Sequence, residues 1–167
     1  LKGRKGGENR GFEMIDGKRS SKKAILLLSV SLLLGVTAAV YPYLPSVNPH
    51  NWSVGVDFPD YVKDAKIVEG DVSRAFNVSG GSRPLIYILI YGFQKLFRLS
   101  AIDAVRYIPV ILNPLLVFSV YFLSMEIFND SWVASWSAFF TASGTQISVG
   151  MFSYFLANML ALSIVSL

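Results

Sequence analysis

The sequence predicts an all-α, polytopic membrane protein in which one exterior loop carries an interfacial juxtamembrane helix. Apolar residues make up 53% of the chain and charged residues only 16%, a balance that is unusual for a soluble domain. Eight of the fifteen basic residues lie before residue 24, directly ahead of an uncharged apolar stretch. Because positive charge collects on the cytoplasmic side of membrane helices, the amino terminus is expected in the cytoplasm and the lipid bilayer is the expected partner.

A basic tail can also bind nucleic acid. Its position immediately before an apolar stretch favours the membrane interpretation, so no nucleic-acid partner is predicted. The chain has no cysteine and a single histidine, His50. This excludes disulfides, thiolate metal sites and histidine-rich metal sites.

The first two segments differ sharply in composition. Residues 1–23 are rich in Gly, Lys, Arg and Ser without periodicity, which predicts a disordered cytoplasmic tail. Residues 24–44 carry no charge, and about 21 helical residues are long enough to cover the ~30 Å hydrocarbon core, which predicts the first transmembrane helix. A cleaved signal peptide is the alternative. It is less favoured because the basic region is long and further hydrophobic segments follow.

Residues 45–83 are the one long polar stretch after the tail. They follow the first span of a chain whose amino terminus is expected in the cytoplasm, so they are predicted to form an exterior loop. The loop holds the acids Asp57, Asp60 and Asp64 beside several bases, among them Arg74 and Arg83. Asp64 is expected to be a merely solvated acid.

Four further apolar segments follow. Residues 84–98 would reach only ~21 Å as a helix, which is short of a span, so a juxtamembrane or re-entrant helix is predicted there. Residues 105–128 are predicted to be a transmembrane helix with a kink at Asn113-Pro114. Residues 131–149 are predicted to be another transmembrane helix, and residues 151–167 the start of a further one. Since that last segment is still apolar at its final residue, the chain is expected to be truncated within its hydrophobic region.

Two topologies fit this pattern. If residues 84–98 lie on the outer surface, the break near Asp130 is cytoplasmic. If they cross as a short, tilted helix, Lys95, Arg98 and Arg106 reach the cytoplasm, which the charge rule prefers. Length favours the first arrangement, and it is the one predicted here.

The exterior loop holds the residues that are best suited to catalysis or ligand binding. No nucleophile elbow, phosphate loop, zinc spacing or dinucleotide fingerprint occurs in the sequence. A carboxylate near a membrane surface can act as a general base or a metal ligand, and an arginine there can hold a lipid phosphate through two hydrogen bonds. The candidates are Asp57 and Asp60 for the first role and Arg83 and Arg74 for the second. The alternative is that these charges are simply solvated.

From Tyr41 onward, the chain resembles the N-terminal module of the GT-C class of integral-membrane glycosyltransferases. These include protein O-mannosyltransferases, lipid A aminoarabinose transferases and oligosaccharyltransferases. The features that carry the resemblance follow a first span and are, in order, Val56-Asp57-Phe58-Pro59-Asp60-Tyr61, Arg83-Pro84-Leu85-Ile86-Tyr87, Leu96-Phe97-Arg98-Leu99-Ser100, Arg106-Tyr107-Ile108-Pro109 and residues 121–128.

The resemblance implies a function. Asp57 would be the catalytic or metal-associated carboxylate, with Asp60 as the alternate, and a divalent metal is a possible cofactor. The expected activity is transfer of a sugar from a polyprenyl-phosphate donor to an acceptor on the outer face, with the acceptor left open. A non-catalytic transporter or assembly subunit is the alternative. Transporters usually place ionisable groups within their spans, and the predicted spans contain none at mid-depth.

Overall fold

The computed structural model describes residues 9–50, 52–144 and 156–167, with side chains from residue 21 onward. This part of the chain is helical and contains no strand, which confirms the all-α prediction. Short 3-10 turns occupy Tyr41–Tyr43, Val72–Phe76 and Val78–Gly81. The α-helices, numbered in chain order, are α1 (Asn9–Val40), α2 (Phe58–Gly70), α3 (Pro84–Phe97), α4 (Ala101–Tyr107), α5 (Pro109–Phe128), α6 (Ser131–Ser143) and α7 (Leu156–Val165).

Two helical stretches are long and apolar enough to cross a membrane. The first is Ser21–Tyr43, 23 residues within and just after α1, and the second is Ala101–Phe128, 28 residues formed by α4 and α5. Large apolar side chains on α1 are turned outward, with Ile25 and Leu33 more than half exposed. Such a contiguous exposed apolar surface is typical of contact with a membrane or another protein.

Helix α1 is longer than its apolar part. Residues 9–23, which were predicted to be a disordered tail, continue the helix toward the amino terminus. At the other end Tyr41-Pro42-Tyr43 forms a single 3-10 turn. Proline favours such an end because its ring fixes φ and removes the N–H that would continue the ladder.

Helices α1, α5 and α6 pack together as a three-helix bundle. Asn113 Nδ2 on α5 donates a hydrogen bond to the carbonyl oxygen of Gly35 on α1, at 3.2 Å. Ser135 Oγ on α6 donates to the carbonyl oxygen of Ala24, at 2.8 Å. The start of α5 therefore lies near the end of α1, and the start of α6 near residue 24. It follows that the break between α5 and α6 lies at the same end of the bundle as residue 24.

Each predicted segment beyond α5 is only partly described. Residues 131–143 of the predicted 131–149 span form α6, and Asp130 caps this helix by accepting from the backbone N–H groups of Trp132 and Val133. Residues 156–165 of the predicted 151–167 segment form α7, which packs along α5 and α3. Residues 145–155 lie outside the described part, so the predictions that fall on them stay predictions.

Helices α2, α3 and α4 form a second layer together with the 3-10 turns at Val72–Phe76 and Val78–Gly81. The predicted loop is thus folded over much of its length. A buried apolar stripe on α2, which includes Tyr61 and Val68, meets Ile86 and Ile90 of α3 and Val105 of α4. This core holds the polar residues of the loop in defined places.

The contact at Gly35 provides a test of the bundle. A Cβ atom at this position would lie 3.5 Å from the backbone of Asn113 and Pro114, which is ordinary van der Waals contact. We therefore expect Gly35→Ala to be nearly neutral. Gly35→Leu should lower the free energy of unfolding by about 1–3 kcal/mol, because the added atoms overpack the α1–α5 contact. Thermal unfolding in detergent would measure both variants, and equal stability of the two would contradict this packing.

Candidate functional site

The carboxylates of the predicted loop fall on one side of α2. Asp57, Asp60 and Asp64 are spaced by three and four residues, which places them on one helical face. Asp57 occupies the N-cap position, yet its side chain makes no capping hydrogen bond to the helix. Asp60 lies in the first turn, where the helix dipole stabilises a negative charge. Asp57 therefore presents a carboxylate that the helix end does not use.

This face lines a cavity of about 460 Å³, and the cavity brings three of the four sequence-predicted residues together: Asp57, Asp60 and Arg83. Arg74, the fourth, lies apart from it. Its guanidinium Nε is 3.9 Å from Asp71 Oδ2, and both side chains are at least half exposed. The Ser73 hydroxyl and backbone N–H bind the carboxylate of Asp71 and lower its pKa. Arg74 is thus part of an exposed turn.

Asp64 was expected to be a solvated acid, and that expectation was wrong. It is only 9% exposed. The Tyr87 hydroxyl donates a hydrogen bond of 2.8 Å to Asp64 Oδ2, and the Ser79 hydroxyl donates to the same oxygen. The two hydroxyl oxygens are themselves 3.2 Å apart. One carboxylate therefore joins α2, α3 and the turn between them.

The turn that reaches Asp64 has an unusual backbone. Ser79, Gly80 and Gly81 all have positive φ, at 48°, 63° and 74°. A Cβ at position 81 would lie 2.7 Å from the carbonyl oxygen of Phe76, so only glycine fits there. A serine in the left-handed region carries a conformational cost. The hydrogen bond from Ser79 to Asp64 offsets this cost and holds the turn against α2.

Arg83 follows this turn and is held by Tyr61. Its Nη1 donates to the Tyr61 hydroxyl at 3.3 Å, and its Cζ lies 5.7 Å from the centroid of that ring. The same hydroxyl accepts from the backbone N–H of Ala157 on α7, at 3.3 Å. Burial raises the pKa of Tyr61, although the Ala157 N–H and the Arg83 charge oppose the shift. Burial also raises the pKa of Tyr87. Both phenols therefore stay neutral hydrogen-bonding groups at physiological pH.

Arg83 also borders a second space of very different character. A groove of about 190 Å³ lies between the start of α3 and α7, and Ser82 and Arg83 line both the groove and the carboxylate cavity. The rest of the groove wall is apolar, with Leu85 on one side and Leu160 and Ile164 on the other. A polar cavity and an apolar groove thus meet at one guanidinium.

A metal at Asp57 was a further prediction. Among the residues that the structure describes, no group of three or more acidic or histidine side chains is placed to hold a metal ion. A cage built from protein ligands alone therefore does not fit this cavity. Arg83 and Lys63 are the positive groups that line this cavity beside Asp57 and Asp60.

Sequence reasoning named Asp57, Asp60 and Arg83 but missed Tyr61, Asp64 and Tyr87. One signal could have found two of them. Residues 57, 60, 61 and 64 follow the helical spacing that puts side chains on one face, but the segment was interpreted as a loop. The partnership of Asp64 with Tyr87 had no sequence signal, because 23 residues separate the two along the chain.

No protein-family model, curated protein or solved structure matches this chain.

The buried carboxylate can be tested by its effect on stability. Asp64→Ala leaves two hydroxyls without their acceptor, so we expect the free energy of unfolding to fall by about 2–3 kcal/mol. Glu69→Ala, at an exposed acid of the same helix, should change it by less than about 0.5 kcal/mol. Denaturant unfolding in detergent would measure both, and similar losses would contradict the special role of Asp64. Tyr87→Phe, which removes one hydroxyl, should cost about 1 kcal/mol.

Proposed function

We propose that this chain is part of a membrane glycosyltransferase that transfers a sugar from a polyprenyl-phosphate donor to an acceptor on the outer face. One observation carries the proposal: Arg83 lies where a carboxylate-lined cavity meets an apolar groove. A lipid-linked sugar phosphate has the same order of parts, namely an apolar tail, an anionic phosphate and a polar sugar. The GT-C resemblance of the sequence points to the same class of donor.

The parts of the donor match the surroundings in turn. The first isoprene units would lie in the groove between Leu85 and Leu160, where apolar surface is removed from water. The phosphate would accept from Arg83, whose planar guanidinium suits two parallel hydrogen bonds. The sugar would enter the cavity beside Asp57 and Asp60, because carboxylates accept hydrogen bonds from sugar hydroxyls.

The chemistry requires a base and a cation. Asp57 would take the proton from the acceptor hydroxyl as its oxygen attacks the anomeric carbon. The bond between that carbon and the phosphate oxygen breaks, and polyprenyl phosphate leaves with the electron pair. The negative charge that develops on the phosphate would be stabilised by Arg83. Asp60, which is exposed in the same cavity, is the alternate base.

The membrane arrangement belongs to the proposal. We infer that α1, α5 and the predicted 131–149 segment, which begins with α6, cross the bilayer, with the amino terminus in the cytoplasm and the α2–α4 layer on the outer face. Two contacts support this: the break between α5 and α6 lies at the Ala24 end of the bundle, and α3 packs against α2 and α4. Both contacts agree with a surface position for residues 84–98.

The orientation can be tested by labelling single cysteines, since the chain has none of its own. In intact cells, Glu69→Cys should react with a membrane-impermeant thiol reagent, because this exposed residue lies in the outer layer. Ser21→Cys and Glu126→Cys, at the other end of the bundle, should react only after the membrane is opened. External labelling at 126 but not at 21 would favour the arrangement in which residues 84–98 cross.

The catalytic role predicts a specific loss of turnover. Asp57→Asn keeps the size of the side chain but removes the base, so turnover should fall by about two to four orders of magnitude. Donor binding should change little, because Arg83 and the groove hold the donor. Transfer of labelled sugar by the full-length protein in proteoliposomes would measure both quantities. Glu69→Gln is the matched control and should retain activity. Normal turnover in Asp57→Asn would contradict the role of Asp57 as the base, whereas absence of transfer by the wild-type protein would favour a non-catalytic protein.

The two arginines can be separated in the same assay. Arg83→Lys keeps the charge but loses the planar fork, so we expect it to weaken donor binding more than it slows transfer. Arg74→Lys should have no effect, because Arg74 lies apart from the cavity and the groove. Equal effects of the two substitutions would contradict the assignment of the phosphate to Arg83.

A further inference from the structure

The face of α2 that lies opposite the carboxylates borders a second cavity, of about 490 Å³, between α2 and α4. Its charged lining residues are all basic: Lys63 and Lys66 of α2 and Arg106 of α4. Lys63 lies on the border between this basic cavity and the carboxylate cavity. Helix α2 therefore separates two cavities of opposite charge.

The residues that line the basic cavity carry three positive charges and no negative charge. Arg106 Nη1 lies 3.8 Å from Asp103 Oδ1, but Asp103 is not among the lining residues. Asp103 Oδ2 also accepts a hydrogen bond of 2.7 Å from the Ser100 hydroxyl. A group that brings negative charge and several acceptor oxygens is complementary to this lining.

Arg106 is built into the wall of the cavity. The residue is only 9% exposed, and its Cζ lies 5.4 Å from the centroid of the Tyr43 ring. The aromatic ring and the surrounding helices fix its direction, so less side-chain freedom is lost when a ligand binds. The two lysines are exposed and can adjust to the ligand.

The position of the cavity suggests where its ligand comes from. Tyr43 ends the first candidate span, and Arg106 lies near the start of the second. The cavity is therefore level with the ends of both spans, at the depth expected for lipid headgroups. Its remaining lining includes the apolar side chains of Val62 and Ile102, which could contact the glycerol or the upper acyl carbons of a lipid.

From this arrangement we propose that the basic cavity is a phosphate-binding site, separate from the donor site and independent of the proposed transferase activity. The phosphate belongs to an anionic lipid headgroup or to a free phosphate ion, since both offer the same acceptor oxygens. Arg106 supplies a positive charge in a fixed place, and Lys63 and Lys66 supply adjustable charge.

The test uses the purified full chain, stripped of lipid in an uncharged detergent. Binding of short-chain phosphatidylglycerol, short-chain phosphatidylcholine and inorganic phosphate would be measured by calorimetry. We expect phosphatidylglycerol to bind about tenfold or more tightly than the zwitterionic lipid. Lys66→Glu should weaken its binding about tenfold, because it reverses one charge at the edge of the cavity. Lys95→Glu, at an exposed lysine outside the cavity, is the matched control.

The arms of the experiment separate the two sources. Binding of phosphatidylglycerol alone identifies a lipid headgroup, and binding of inorganic phosphate that Lys66→Glu weakens identifies a free phosphate site. Arg106→Gln should weaken either ligand by more than about tenfold through loss of charge-assisted hydrogen bonds, with circular dichroism as the check on folding. The proposal is overturned if wild type binds neither ligand, or if Lys66→Glu and Lys95→Glu weaken binding equally.

Discussion

The buried carboxylate of Asp64 is the constraint on which the α2–α4 layer depends. A charge that is removed from water needs hydrogen-bond donors, and Asp64 obtains them from Tyr87 on α3 and Ser79 in the preceding turn. These bonds fasten both elements to α2. The left-handed turn at residues 79–81 then places Arg83 against the ring and hydroxyl of Tyr61. Arg83, which borders both the cavity and the groove, is therefore positioned by Asp64. The carboxylate of Asp64 already accepts two hydrogen bonds.

Helix α2 organises this layer because it has three different faces: one buried, one acidic and one basic. One stripe, which includes Tyr61 and Val68, is buried in the core. The carboxylates lie on one side of that stripe and the lysines on the other. The separation has an electrostatic consequence, because a phosphate is repelled by Asp57 and Asp60 and attracted by Arg83 and the lysines. On the proposals made above, an anionic ligand would have two places to bind, and the cavity beside the carboxylates would favour a neutral polar group such as a sugar.

The helical class and the two long apolar helices were accessible from the sequence, because each leaves a local signal in composition. Three of the four candidate residues, Asp57, Asp60 and Arg83, line one cavity, and their roles stay predictions. The sequence did not reveal that the predicted loop is folded. Residues 57–64 have helical spacing, but their polarity suggested a solvated segment, and this is why Asp64 was taken for a surface acid. Its burial depends on Tyr87, which lies far along the chain. Arg74 and Arg83 were both candidates in the sequence, and only the structure separates their surroundings, because Arg74 pairs with Asp71 in an exposed turn while Arg83 contacts Tyr61.

Arg106 connects the α2–α4 layer to the helix bundle. This residue belongs to α4, which continues into the second candidate span, and its guanidinium stacks on Tyr43 at the end of the first. A phosphate that binds Arg106 would therefore act at the contact between the two candidate spans. Helix α2 in turn carries Tyr61, which contacts Arg83 and α7. Helix α2 thus borders both the basic cavity and the carboxylate cavity, and its buried side holds the residue that positions Arg83.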